Sequence, residues 1–158
     1  MRFYMEWLNV HGMLIMILLM VPNILYALDK KHSAEGNYHN KAVEVIEQIG
    51  RIGSMLLMIV NLPLFTYGYW FNHDEISYKV STGILTLLYW VVWFFYFKKP
   101  SFGKAMALAL IPTFLFLLSG ILLANIPLVL MALTFCVGHC MITYHNNIQK
   151  GFSVALRR

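Results

Sequence analysis

"AMALALIPTFLFLLSGILLANIPLVLMALTFCVGHCMITYH", residues 105–145, runs for 41 positions without an Asp, Glu, Lys or Arg. Crossing a hydrocarbon core of roughly 30 Å takes about 20 apolar residues, so this stretch is long enough to cross twice. Near its middle stands "LLANIPL", residues 122–128, where Asn125 and Pro127 form a turn signal. The reading is two helices, about 105–124 and 127–146, joined by a very tight hairpin.

Working outward, three further apolar runs of spanning length appear at about 7–28, 52–71 and 76–97. The chain is therefore expected to be an all-α integral membrane protein. It forms a single domain over residues 1–158, a bundle of five transmembrane helices with a polar loop at 29–46. Composition agrees: 59% of residues are hydrophobic, 12% are charged and mean hydropathy is +0.65. A soluble domain is nearer a quarter charged and cannot hide that much apolar surface.

The hairpin also decides the charge distribution. With five spans, Lys30, Lys31, Lys41, Arg51, Lys98, Lys99, Lys104, Lys150, Arg157 and Arg158 fall on one side, and only Arg2 and Lys79 on the other. The positive-inside rule then places the N-terminus outside and the C-terminus and the 29–46 loop in the cytoplasm. A single span over 105–145 would move the three positive residues of the tail to the poor side and weaken this asymmetry. The net charge of +5 lies in loops between apolar runs, so it suits a bilayer and no nucleic-acid partner is expected. Aromatic residues sit at the expected interfaces: Phe3, Tyr4, Trp7, Tyr67, Tyr69 and Trp70 outside, and the Trp93–Phe97 stretch inside. No small-x-small cleavage site follows "ILYALDKKH", so the first span is expected to be retained.

Polar residues inside the spans carry whatever the sequence says of function. In "EQIGRIGSMLLMIVNLP", residues 47–63, Glu47, Arg51, Ser54, Met58 and Asn61 share an arc of roughly 80° at helical periodicity. Glu47 and Arg51 stand four apart in the favourable acid-first order. Read as part of a helix over 52–71, Pro63 would leave the carbonyl of Ile59 without its usual donor, and in lipid that carbonyl must find another. Similar stripes occur on the first helix (Asn9, Gly12, Met16, Met20, Asn23), the third (Lys79, Thr82, Gly83, Thr86, Trp90), the fourth (Ala109, Thr113, Gly120) and the fifth (Cys136, His139, Cys140, Thr143). Pro22 and Pro112 interrupt two of them.

Small and hydroxyl residues in such stripes commonly serve helix packing. Strongly polar or ionisable ones default to a functional hypothesis. The ligand-binding candidates are accordingly Asn23, Glu47, Arg51, Ser54, Asn61, Thr113, His139 and Thr143, expected around an inward-facing polar pocket. No catalytic residue is assigned.

Cys136, His139 and Cys140 share a face suited to a soft metal, but they lack a ligand from another helix and no metal is assigned. His11 and His139 differ too much in depth to be a shared haem pair, and no mid-span lysine is available for a retinal Schiff base. No cofactor is identified. The two cysteines, four apart on one helix, are a poor match for a disulfide.

The expected function is binding or transport of a small molecule or ion, in what is expected to be a bacterial plasma membrane. A chain this small would carry out transport as a homo-oligomer. Two alternatives stand beside it. One is an intramembrane enzyme acting on a lipid or isoprenoid, with Glu47 and His139 as acid and base and Arg51 holding a headgroup. The other is an accessory subunit of a larger membrane complex.

Overall fold

The computed structural model describes residues 7–28, 39–62 and 74–155, and they form five helices. These are α1 (Val10–Leu28), α2 (Lys41–Ile59), α3 (Asp74–Lys98), α4 (Phe102–Leu122) and α5 (Ile126–Ala155). Four stretches, Val10–Leu28, Glu75–Lys98, Phe102–Leu122 and Ile126–Ile148, are long and apolar enough to cross a membrane.

Packing closes the helices into a ring. α1 touches α2 and α3, α2 lies along α5, α5 along α4, and α4 returns to α3. The spatial order is therefore α1, α2, α5, α4, α3. Large apolar side chains point outward from every helix, among them Ile17, Ile49, Leu87, Phe114 and Val137. Inside, Met58, Tyr78, Leu115, Leu128 and Ala132 make the apolar core, and Glu47, Ser54, Thr82, Thr86, Thr113, Ser119 and Asn125 are buried with them. Apolar outside with polar groups within is the distribution that lipid solvates.

The hairpin inside 105–145 is as tight as its sequence suggests. After the cap residue Leu123, Ala124 takes a left-handed φ of 49°. Its N–H donates to the carbonyl of Ile121 at 3.1 Å, and that of Asn125 to Gly120 at 2.8 Å. This pair of bonds is a Schellman stop, here with alanine where glycine is usual. Asn125 then starts α5, its Oδ1 accepting from the N–H of Leu128 at 3.1 Å, while its Nδ2 donates to the carbonyl of Leu57 on α2 at 3.4 Å. One buried asparagine thus ends a helix with its backbone N–H, begins another with its side-chain oxygen and reaches a third with its side-chain NH2.

The second helix departs from expectation. It covers 41–59 instead of 52–71, so residues 41–46 of the expected loop are helical; residues 29–38 of that loop and 63–71 of the expected span lie outside the described residues. Asn40 sets the start, its Oδ1 accepting from the N–H groups of Ala42 and Val43. At the other end Val60 is extended and forms an antiparallel bridge with Leu8. The Asn61 N–H donates to the carbonyl of Trp7 at 3.0 Å. The Ile59 carbonyl does have a non-helical donor, the N–H of Asn9 at 2.7 Å, at the point where the helix ends.

Pro22 does sit inside a helix. It cannot donate to the carbonyl four residues back, Leu18, and the indole Nε1 of Trp90 on α3 supplies that bond at 3.0 Å. The aromatic stretch near the end of α3 divides. Phe94 and Phe95 face outward, while Trp93 turns in and packs on Tyr26 and Phe97 at centroid distances of 5.2 and 5.1 Å.

α2 and α5 run antiparallel and in unusually close contact. A Cβ at Gly50 would strike the backbone of Phe135, one at Gly53 would lie 2.7 Å from the sulfur of Met131, and one at Gly138 would lie 2.7 Å from the Cα of Glu47. Gly83, in contrast, faces open space within α3. Gly138→Ala is therefore expected to destabilise the bundle by about 1–3 kcal/mol through overpacking. Gly83→Ala should stabilise it by roughly 0.5–1 kcal/mol through helix propensity. Thermal unfolding in detergent measures both, and equal responses would refute the close α2–α5 contact.

Candidate functional site

The α2–α5 contact determines what surrounds Glu47. With glycine opposite it at position 138, the Glu47 backbone presses against α5, and its side chain is directed along the seam instead of outward. Glu47 is 6% exposed. Its Oε1 lies 3.3 Å from Nδ1 of His139 and 3.7 Å from Nε of Arg51, one turn along α2. Phe135, one turn before His139, stacks on the imidazole with centroids 4.7 Å apart and planes 20° apart. Phe116 of α4 meets the same phenyl ring edge-on at 5.9 Å. The imidazole therefore has an apolar plate on one face and a carboxylate at one nitrogen, which fixes its orientation.

The three charged or titratable groups differ in access. The Glu47 side chain is 8% exposed, those of His139 and Arg51 31% and 43%. A buried carboxylate thus holds two nitrogen-rich groups that keep an open side. Arg51 meets the carboxylate through Nε, and its terminal N–H groups make no hydrogen bond with another described residue. Chemically, the arrangement presents hydrogen-bond donors around one internal negative charge. It suits a carboxylate or phosphate ligand, or a proton passed between His139 and Glu47.

Of the eight candidates, Glu47, Arg51 and His139 come together in this way. Ser54 lies on the same face of α2, wholly buried, and its Oγ has no hydrogen-bond partner. Thr143 is one turn beyond His139, and its carbonyl accepts from Nδ2 of Asn147 at 2.8 Å. The other three lie elsewhere. Asn23 joins α1 to α3, donating to the carbonyl of Leu19 at 2.8 Å and accepting from the Tyr89 hydroxyl at 3.0 Å. Asn61 belongs to the extended segment after α2, because the helix ends before reaching it. The Thr113 hydroxyl donates to the carbonyl of Ala109 at 3.0 Å. Thr113 lines an apolar groove of about 470 Å³ in place of a polar pocket. No group of three His, Cys, Asp or Glu residues with metal-holding geometry occurs among the described residues.

A second polar cluster was not anticipated. At the opposite end of the bundle, Asn9 donates from Nδ2 to the Tyr78 hydroxyl at 2.9 Å, and its Oδ1 caps α1 at the N–H of Gly12. His11 Nε2 lies 2.9 Å from Oγ1 of Thr82, and its ring meets Tyr78 edge-on at 5.1 Å. On the sequence, Asn9 and Thr82 fall on the polar stripes of the first and third helices, while His11 falls off its stripe and Tyr78 was not singled out.

Comparison with protein-family models, curated proteins and solved structures returned no match, so the site stands on its own geometry.

Glu47→Gln and His139→Phe should each destabilise the bundle, and their double-mutant cycle should show a coupling of about 1 kcal/mol. Strict additivity in chemical unfolding would show that the two side chains do not interact.

Proposed function

We propose that this chain is a five-span membrane protein that binds a small anionic or amphiphilic molecule at the Glu47–Arg51–His139 cluster. The observation that carries the reading is the buried Glu47 carboxylate within 3.3 and 3.7 Å of two partly open cationic or cation-forming groups. Ionisable groups at such a depth are costly and call for a reason. A polar ligand supplies one, since Arg51 and His139 both keep an open side while meeting the Glu47 carboxylate.

Two features support α2 as the fifth span, although its polar first half lowers its hydropathy. Its outward face is Ile46, Ile49, Ile52 and Leu56, all exposed, and its polar residues Glu47 and Ser54 face inward. A helix lying in water would be built the other way round. The described cations support the inside-positive orientation. Lys41, Lys98, Lys99 and Lys104 gather where α2 and α4 begin and α3 ends, while Lys79 stands near the opposite end, already paired with Glu75 at 2.8 Å.

Transport, a homo-oligomeric assembly and a bacterial plasma membrane location extend this proposal. The 3.3 Å approach of His139 to Glu47 also favours a second reading, acid–base chemistry on a bound lipid. An accessory subunit would leave the cluster without a ligand.

Native mass spectrometry of protein released gently from its own membrane should show a bound small molecule that is lost in Arg51→Gln. Retention in that variant would dismiss Arg51 as a ligand group, and a ligand-free chain would dismiss the proposal. For orientation, Ser101→Cys in a background of Cys136→Ala and Cys140→Ala should be labelled by an impermeant maleimide only after the inner face is opened. Labelling of intact cells would reverse the assignment.

A further inference from the structure

A different part of the surface points to a second ligand, one that does not depend on the Glu47 cluster. α4 is the most buried of the four apolar helices. Over its most hydrophobic stretch 56% is buried, against 22% for each of its neighbours α3 and α5. It is recessed between them, and its outward face forms part of a groove of about 470 Å³. Leu110, Phe114 and Leu117 come from α4, Leu85 and Leu88 from α3, and Cys136 from α5. The groove lies in the middle of helices able to cross a membrane, so it faces hydrocarbon and not water.

The end of the bundle where α3 stops and α4 starts is positive. Lys104 stands on the same stripe of α4 as the groove residue Ile111, about 10 Å away along the helix at 1.5 Å per residue. Its Nζ donates to the carbonyls of Phe95 and Lys99 at 3.0 and 2.7 Å. Neither Lys99 nor Lys104 forms an ion pair with another described residue. From Lys104 to Leu117, the groove residue farthest along α4, the helix rises about 20 Å, against roughly 15 Å for one leaflet of a hydrocarbon core. A positive end and an apolar groove along α4 are the complement of an amphiphile with an anionic head.

We propose that this groove holds one anionic phospholipid, with a chain against Leu88, Leu110 and Phe114 and its phosphate at Lys99 and Lys104. A Lys near an anionic lipid head is worth about 1 kcal/mol, roughly five-fold in affinity.

The test is lipid readdition to delipidated full-length protein, using phosphatidylglycerol and phosphatidylcholine as probes, read by native mass spectrometry. The expected result is a single phosphatidylglycerol adduct favoured over phosphatidylcholine. Lys99→Gln should weaken it about five-fold. Leu110→Trp, which fills the groove from the lipid side, should weaken both lipids. Arg51→Gln should leave the adduct unchanged, which separates this site from the interior cluster. Multiple adducts without headgroup preference would show an ordinary lipid annulus and overturn the proposal, as would a phosphatidylglycerol adduct that survives Lys99→Gln and Leu110→Trp in a folded protein. Since Lys104 also caps α3, Lys99→Gln is the variant that removes charge without removing a helix cap.

Discussion

The close approach of α2 to α5 determines much of the rest. Gly50 and Gly53 on one helix and Gly138 on the other remove the side chains that would hold the two backbones apart. Once the helices meet, Glu47 has no outward route, and its carboxylate must be met within the seam by His139 and Arg51. The same contact carries α2, the least apolar of the five helices, into a ring that its hydropathy alone would not secure. Packing through small residues is the principal means of association where lipid offers no hydrophobic driving force.

A second constraint accounts for most of the specific bonds. In hydrocarbon every backbone polar group needs an internal partner. Pro22 frees the carbonyl of Leu18, and Trp90 takes it. The end of α2 frees the carbonyl of Ile59, and Asn9 takes it. Asn125 closes the α4–α5 hairpin and reaches Leu57 with its remaining donor. Thr82, Thr86, Thr113 and Ser119 return their hydroxyls to carbonyls four residues back in their own helices. These hydroxyls are thereby satisfied within their own helices, and that of Thr82 also meets His11. Ser54 is the exception, buried on the Glu47 face with an Oγ that has no hydrogen-bond partner among the described residues.

Much of this was legible in the residues. The apolar runs and the Asn125–Pro127 turn signal led to five spans, of which four are long apolar helices with the hairpin in the right place, because lipid-facing segments announce themselves by length and hydropathy. The acid-first spacing of Glu47 and Arg51, with His139 at a compatible depth, picked out three side chains that do converge. What failed was the boundary of α2. Its first ten residues resemble a solvated helix by composition, and its end is set by a bridge to Leu8, a partner far away in sequence that no local pattern reveals. Asn61 was misplaced for the same reason. The His11–Tyr78–Thr82 network was missed because it joins two helices whose rotation about the bundle follows from the ring order, which one-dimensional periodicity does not contain.

The three-residue turn between α4 and α5 bears on how such a chain enters a bilayer. Leu123, Ala124 and Asn125 contain no charge and too few residues to wait outside while one helix inserts and the other follows. Their backbone is bonded to α4 and their one side-chain amide to α5, so the turn is finished only when both helices exist. Loop closure over so short a segment costs little entropy. α4 and α5 are therefore one hairpin unit with an uncharged tip, and α5 offers the face against which α2 packs its glycines. The surface that receives Gly50 and Gly53 of α2 is Phe135 and Met131 of α5, so the packing of α2 is completed only by residues about 80 positions later in the chain.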